Sequence, residues 1–339
     1  MEIGSIAICF VEQAIRGLRQ RRIDTAPILR AAGIAPHLLS IAQARVSAAS
    51  YSSLWRLVAD ALDDEFFGED SHPMRVGSFA MLCHAVLDCD NLEHAIRRAS
   101  RFFAIALDDL GVTLEPTETT AVVRLVQRTP KATRVFAHET MLILLHGLIC
   151  WLVGRRVPIL HARFAYSEPV YSGEYKMMYS AHLSFDMPAT QIEFESRYLA
   201  LPVVQNRDTL QVFLHDAPEN IVLKYKSERS VTAQVRRHLR SLPPIEWPHF
   251  DVLAAALHLT GSTLRRRLAD EGQSYQGLID ELRRDLAIDG LIHSSQSVSE
   301  ISAQLGFADP GSFHRAFKKW TGTPPAGYRK MRAAPTQAR

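Results

Sequence analysis

Residues 297–329, SVSEISAQLGFADPGSFHRAFKKWTGTPPAGYR, read as a helix, a tight turn and a second helix. Val298, Ile301 and Leu305 fall on one helical face at steps of three and four. Gly306 supplies the turn, because a residue without Cβ enters the φ > 0 region at little cost. Asp309 followed by Pro310 is an N-cap with proline at the first helical position. In the helix that follows, Phe313 and Phe317 point inward, and Gly311, Ser312, His314, Arg315, Lys318 and Lys319 face out. A short cationic helix seated on a partner helix is how a helix-turn-helix enters a major groove. A solvated helix with ordinary lysines is the plainer alternative, and the recurrence of the pattern upstream counts against it.

In that upstream copy Phe250, Leu253, Leu257 and Leu259 take the places of Val298, Ile301, Leu305 and Phe307. One residue of offset later, Leu264, Arg266 and Leu268 match Phe313, Arg315 and Phe317. His258 stands where Gly306 stands, so a histidine there must accept left-handed backbone, which it does more readily than branched residues. Between the copies Tyr275, Leu278, Leu282, Leu286 and Leu291 make the stripe of one long connecting helix. The two motifs lie at about 249–271 and 297–320.

Two helix-turn-helix units joined by a helix, and closed by Gly322, Pro325, Tyr328 and Arg329, resemble the AraC/XylS family of transcription regulators. The resemblance is strong over 230–330 and departs at Pro324, where the family often has Ser or Thr. It implies double-stranded DNA as partner. It places Ser262, Thr263, Arg265 and Arg266 of the first recognition helix, which opens at Thr260, toward the groove. From the second it brings Gly311, Ser312, His314 and Arg315. Lys318, Lys319, Arg283 and Arg284 are assigned to phosphate or solvent. An arginine fork matches the O6 and N7 acceptors of guanine, which is what makes such positions suited to base readout.

Charge is shared unevenly. The chain has 339 residues and a net charge of +3; from Lys226 onward 17 Lys and Arg face 11 Asp and Glu, whereas the rest carries 22 against 25. A basic carboxy-terminal end points to a polyanion partner for that end alone. Hydrophobic residues at 47% and charged residues at 22% describe a folded protein of two domains, placed at 1–225 and 226–339. The opening MEIGSIAICFVEQAIR has no basic segment before its apolar stretch, and the run 141–153 is short for a membrane span and broken by His146. The expectation is a cytoplasmic protein with no membrane partner.

The first two-thirds mixes periods. Residues 3–71 read as helical, as do 91–103 and the strongly apolar 133–153. Alternation over 112–127, around Pro116 and Thr117, predicts two half-buried strands, and 157–166 and 182–194 alternate again. Residues 171–179 make a short helix, and 202–225 returns to helix. The fold class is therefore an α+β region followed by an all-α region with two helix-turn-helix units. The order of pieces is similar to the amino-terminal ligand-sensing domain of one AraC-type subgroup. That likeness implies a small-molecule effector, a homodimer, and RNA polymerase as a partner if the output is activation. Arg97, Arg101, His161, Arg163 and Tyr166 are the candidate polar groups of an effector pocket. Before the second domain, 227–248 reads as a junction with a helix whose Arg236, Arg237 and Arg240 are exposed.

Catalytic sets are not found: there is no G-x-S-x-G elbow, no H-E-x-x-H and no phosphate loop. Cys9, Cys83, Cys89 and Cys150 form no C-x-x-C pair and read as reduced core thiols. His138 and His146 share one face of an apolar helix and read as hydrogen-bonded core residues rather than metal ligands. The acidic pairs Asp63-Asp64 and Asp108-Asp109 read as caps or solvated charges. No catalytic residue, metal or cofactor is expected. Two other classes stand as alternatives. A DNA-repair methyltransferase with an AraC-like module would need an activated thiolate, for which no cysteine has the context. A ligand-independent architectural DNA-binding protein would not need 225 residues of mixed α/β ahead of its DNA module.

Overall fold

Two three-residue strands, β1 (Ser5–Ala7) and β2 (Arg45–Ser47), pair antiparallel with Ile6 opposite Val46. Helices α1 (Ile8–Ala14), α2 (Arg16–Gln20) and α3 (Thr25–Ala31) lie between them in the chain, and α4 (Ala48–Leu62) follows. The sequence reads as helical over 3–71, with a break at Ala31-Ala32-Gly33 and Pro36, so this ribbon is a correction. Three residues are too few for a period of two to show, and the pairing partner is remote in sequence. The computed structural model describes residues 5–130, 133–218, 221, 231–270 and 273–330.

Helices α5 (Ser78–Leu87) and α6 (Leu92–Ala106) come next, with Asn91 capping α6 by accepting from the His94 N–H at 2.9 Å. The alternation expected over 112–127 appears as a hairpin of β3 (Leu110–Pro116) and β4 (Thr120–Gln127), with Val112 opposite Leu125. Ala121, Val123 and Leu125 turn inward and their neighbours outward, as a half-buried strand requires. After α7 (Val135–Leu152) come β5 (His161–Arg163), α8 (Gly173–Met178), β6 (Leu183–Ser184), β7 (Gln191–Glu195) and α9 (Arg207–Asp216). The sheet order is β3-β4-β7-β5-β6, antiparallel except for the β5–β6 pair. By length and composition α7 could cross a membrane, but most of it is buried inside the protein.

Of the acidic pairs, Asp64 is a buried loop cap rather than a solvated charge, and Asp70, outside those pairs, caps a loop in the same way. Asp64 accepts from the N–H groups of Phe66, Gly68 and Met74, and Asp70 from those of His72, Asp108, Asp109 and Leu110. Burial raises the Asp64 carboxyl above its ordinary range, and the three backbone donors pull it back.

The remaining helices are α10 (Val231–Arg240), α11 (Phe250–Ala256), α12 (Gly261–Asp270), α13 (Tyr275–His293), α14 (Val298–Gln304), α15 (Pro310–Thr321) and α16 (Pro325–Lys330). The architecture is thus an α+β region followed by an all-α region with two helix-turn-helix units. Contacts divide the chain into two compact units, 1–12 with 29–51 and 228–339, and 13–28 with 52–227. The expected boundary between Tyr225 and Lys226, the first residues of the 227–248 junction, and Glu271 at the end of the first motif lie outside the described residues.

Candidate functional site

Helices α11 and α12 form the first helix-turn-helix. Leu253, Ala254, Leu264 and Leu268 join Val231, Val235 and Leu239 of α10 and Leu278 and Leu282 of α13 in one buried cluster. That cluster seats α12 on its apolar side and leaves Ser262, Arg265, Arg266 and Arg267 exposed, with Thr263 half-buried. The turn residue His258 does adopt the left-handed region, at φ 55°. Thr260 caps α12: its Oγ1 accepts from the Thr263 N–H at 3.2 Å and donates to Thr263 Oγ1 at 2.8 Å. The Arg265 guanidinium lies over the Phe250 ring, 5.1 Å from its centroid, so this arginine is held against α11 while Arg266 extends to solvent.

Helices α14 and α15 form the second. Ser297 and Glu300 make a capping box at the start of α14, and Gly306 turns the chain at φ 74°. Phe313 and Phe317 are fully buried, 5.6 Å apart, and Phe317 meets Tyr328 of α16 edge to face at 5.3 Å. The Tyr328 hydroxyl donates to the Arg45 carbonyl of β2, which lies in the same compact unit. On the outer face a relay runs along the first turn of α15. Asp309 accepts from the Ser312 N–H at 2.8 Å and from its hydroxyl at 2.6 Å; Ser312 Oγ accepts from Arg315 Nη2 at 2.9 Å. Gly311 fits this relay, because a Cβ there would stand 2.9 Å from the Asp309 carboxylate. Arg315, Lys318 and Lys319 are exposed and His314 is half-buried.

Two arginines assigned to phosphate or solvent sit elsewhere. Arg283 of α13 lies between aromatic rings, 5.0 Å from the Phe307 centroid and 5.8 Å from that of Trp247, and its burial lowers its pKa. It joins the turn of the second unit to the segment entering the first. Arg284 is mostly covered and lies 3.5 Å from Asp285. Arg236, expected to be exposed, is largely buried in an ion pair with Glu281 of α13. Arg237 and Arg240 are exposed.

The five effector candidates do not converge. Arg97 pairs on the surface with Glu93 at 2.8 Å, and Arg101 is exposed. His161 faces out beside His182, their rings 5.3 Å apart, and Arg163 pairs with Glu193 at 2.7 Å. Only Tyr166 enters a buried cluster, its hydroxyl 3.1 Å from that of Tyr175. At the centre of that cluster is Glu139, a residue sequence reasoning missed. It is fully buried on α7, accepts from the Tyr175 hydroxyl, and its backbone oxygen accepts from the Tyr179 hydroxyl at 3.3 Å. Burial pushes its carboxyl up to about 7, against hydrogen bonds from Tyr175 and Tyr171. Next to it, burial pushes His138 down to about 4, so its ring is neutral and shares a 2.7 Å hydrogen bond with Thr190 Oγ1. His146 shares one of 2.8 Å with the Val157 carbonyl. Two signals pointed to the cluster: one acid inside an apolar helix, and Tyr171, Tyr175 and Tyr179 at steps of four.

Residues 23–203 match the family model described as the arabinose-binding domain of AraC transcription regulator, and 253–331 match a helix-turn-helix domain model. The chain is 27% identical over 328 residues to the ornithine utilization regulator of Pseudomonas aeruginosa, covering 96% of each chain. It is 32% identical over 203 residues to the regulator VqsM of the same organism, covering 56% of this chain and 59% of that one. Among solved structures, the transcriptional regulator CdpR from Pseudomonas aeruginosa aligns over 95% of this chain and 98% of its own, at 19% identity and a TM-score of 0.32.

Proposed function

This chain belongs to the AraC family of transcription regulators, and from that premise we propose that it recognises a bipartite DNA site under control of a small-molecule effector. The observation that carries the reading is the pairing of two recognition helices, α12 and α15, each bearing an exposed arginine at a matched place, Arg266 and Arg315, on one connecting helix. Successive major grooves on one face of a duplex lie about 34 Å apart, so each subunit reads two short blocks about ten base pairs apart. Ser262, Thr263, Arg265 and Arg266 serve one block, and Gly311, Ser312, His314 and Arg315 the other. Lys318 and Lys319 meet phosphate.

The effector belongs to the region up to about 225, with the DNA-binding region from 226 onward. The name of the ornithine utilization regulator supports a small metabolite as its class. A homodimer in the cytoplasm, with RNA polymerase as a further partner if the output is activation, completes the reading. A non-enzymatic role agrees with the thiols, since burial raises both Cys83 and Cys89 and so disfavours a thiolate nucleophile. The test selects binding sites from random duplexes with the full chain, with and without a metabolite panel. Two separated blocks and at least one metabolite that changes DNA affinity and raises Tm are expected. A single block, or retention indifferent to sequence, overturns the readout; no responsive metabolite overturns the effector.

A further inference from the structure

Glu139 is where an ordinary core breaks its own rule. Its side chain is fully buried, Tyr175 donates to one carboxyl oxygen with Tyr171 also acting on the carboxyl, and the other oxygen, Oε2, has no hydrogen-bond partner among the described residues. A buried polar atom left unpaired costs free energy, and an unpaired buried charge costs more. The cation that acts on it does not resolve this. Arg134 is committed to Glu69, whose side chain is fully buried, and donates also to Gln13 at 2.6 Å. The guanidinium that acts on Glu139 thus already serves Glu69, while His138, its neighbour in the chain, is neutral. The walls are π faces: Tyr175 and Tyr179 meet edge to face at 5.4 Å, and Phe164 lies 4.8 Å from Tyr175. Tyr166, Tyr171 and Phe185 are half-buried, so the cluster reaches the surface on that side.

An unpaired carboxylate oxygen among aromatic faces is complementary to a positive charge that also carries N–H donors. The rings attract the charge through their quadrupoles, and Oε2 accepts the hydrogen bond. A quaternary ammonium meets the first condition and fails the second. An anionic ligand would confront both carboxyls. We propose that the Glu139–tyrosine cluster is the effector site and that its ligand is a small organic cation with a primary or secondary ammonium group. This rests on the effector-controlled reading above and narrows it to one site and one chemical class.

Binding requires the ionised carboxyl, so affinity for an amine protonated throughout should rise about tenfold from pH 6 to pH 8. The full chain is titrated with n-butylammonium, 1,4-diaminobutane and 2-aminoethanol, using Tm and calorimetry as readouts. Tetramethylammonium, n-butanol and butyrate are controls at matched ionic strength. At least one amine should stabilise the protein at pH 8, at least tenfold more tightly than any control, and Glu139→Gln should weaken it at least tenfold. Failure of all three amines, equal binding by tetramethylammonium, or an affinity indifferent to pH overturns the proposal. Should Glu139→Gln not fold, the wild-type pH dependence and the tetramethylammonium arm decide. If a non-amine metabolite changes DNA affinity while the amines do nothing, effector control stands and this site assignment falls.

Discussion

The turn of the first helix-turn-helix is made by His258 at φ 55°, and that of the second by Gly306 at φ 74°. The same fold of backbone is reached once with a side chain and once without. The recognition helices differ in parallel ways. In α12 the cap is a threonine and Arg265 rests on Phe250, leaving Arg266 and Arg267 to solvent. In α15 the cap is an aspartate whose carboxylate holds Ser312, which in turn holds Arg315. In the first unit the matched arginine, Arg266, reaches into solvent; in the second, Arg315 is already oriented. An arginine fixed before binding loses less side-chain entropy on meeting a base. The pair teaches that a shared apolar seat does not dictate a shared way of reading DNA.

The seat is where the largest effects lie. Phe313→Ala removes a ring packed on both Phe307 and Phe317 and should cost about 3–5 kcal/mol; Leu264→Ala removes one leucine from the first cluster and should cost about 2–5 kcal/mol. Denaturant midpoints measure both. A loss under about 1 kcal/mol at either place would mean that the seat is not the common feature of the two units.

Base readout comes next. Arg266→Ala and Arg315→Ala should each cost about 1–3 kcal/mol and relax preference in one block only. Ser312→Ala should reproduce part of the Arg315 loss by releasing its tether, whereas Lys318→Ala should weaken all sequences alike and flatten the salt dependence by about one unit of slope. Site selection at two salt concentrations separates these outcomes. If both arginine variants keep full sequence preference, the two arginines meet phosphate, and the contrast between reach and pre-orientation has no bearing on specificity.

What could be read beforehand follows from how local each signal is. The turns and caps at 258–260 and 306–310 are set by residues within a few positions, so glycine, proline and cap chemistry disclose them. Local pattern does not disclose the seat of Arg283, because its environment is made by Trp247 and Phe307, far away in sequence on either side. The same holds for Arg236, whose partner Glu281 lies on a different helix. The β1–β2 ribbon is short and paired across three helices. Glu139 was legible in kind, as an acid in an apolar helix, but the tyrosine that holds it comes from another element.

The caps give a smaller contrast. Thr260→Ala should cost about 0.5–1 kcal/mol. Asp309→Ala should lower Tm further, because it releases Ser312 and Arg315 as well, and Asp309→Asn should recover most of the loss. Hydrogen bonds from Ser312 hold the Asp309 carboxyl below its ordinary value, with Arg315 helping. A depressed carboxyl stabilises the fold above its unfolded-state pKa and loses that contribution as pH falls through the folded one. The Asp309 variants should therefore converge with wild type only in strong acid, below about pH 4. Thermal melts from pH 3 to pH 7 check this, and a gap that persists unchanged at pH 3 would assign the effect to packing.

The smallest expected effect bears most directly on why the turns differ. Left-handed backbone costs a residue with Cβ roughly 1–2 kcal/mol, so His258→Gly removes a strain. The same change loosens the unfolded chain, which costs about 0.4–1 kcal/mol. The two nearly cancel, and stability should move by less than about 1 kcal/mol. At the matched place Gly306→Ala meets close backbone: a Cβ would stand 3.2 Å from the Pro244 carbonyl oxygen and 3.3 Å from Ile245 Cα. Strain and crowding then add, and a loss of about 1 kcal/mol or more is expected despite the stiffer unfolded chain. Histidine accepts the left-handed backbone of the first turn; at the second, glycine also answers the close passage of the backbone of 244–245. Equal responses of the two turns in paired denaturation curves would show that φ alone governs both, and that the approach of Pro244 and Ile245 to Gly306 imposes no constraint.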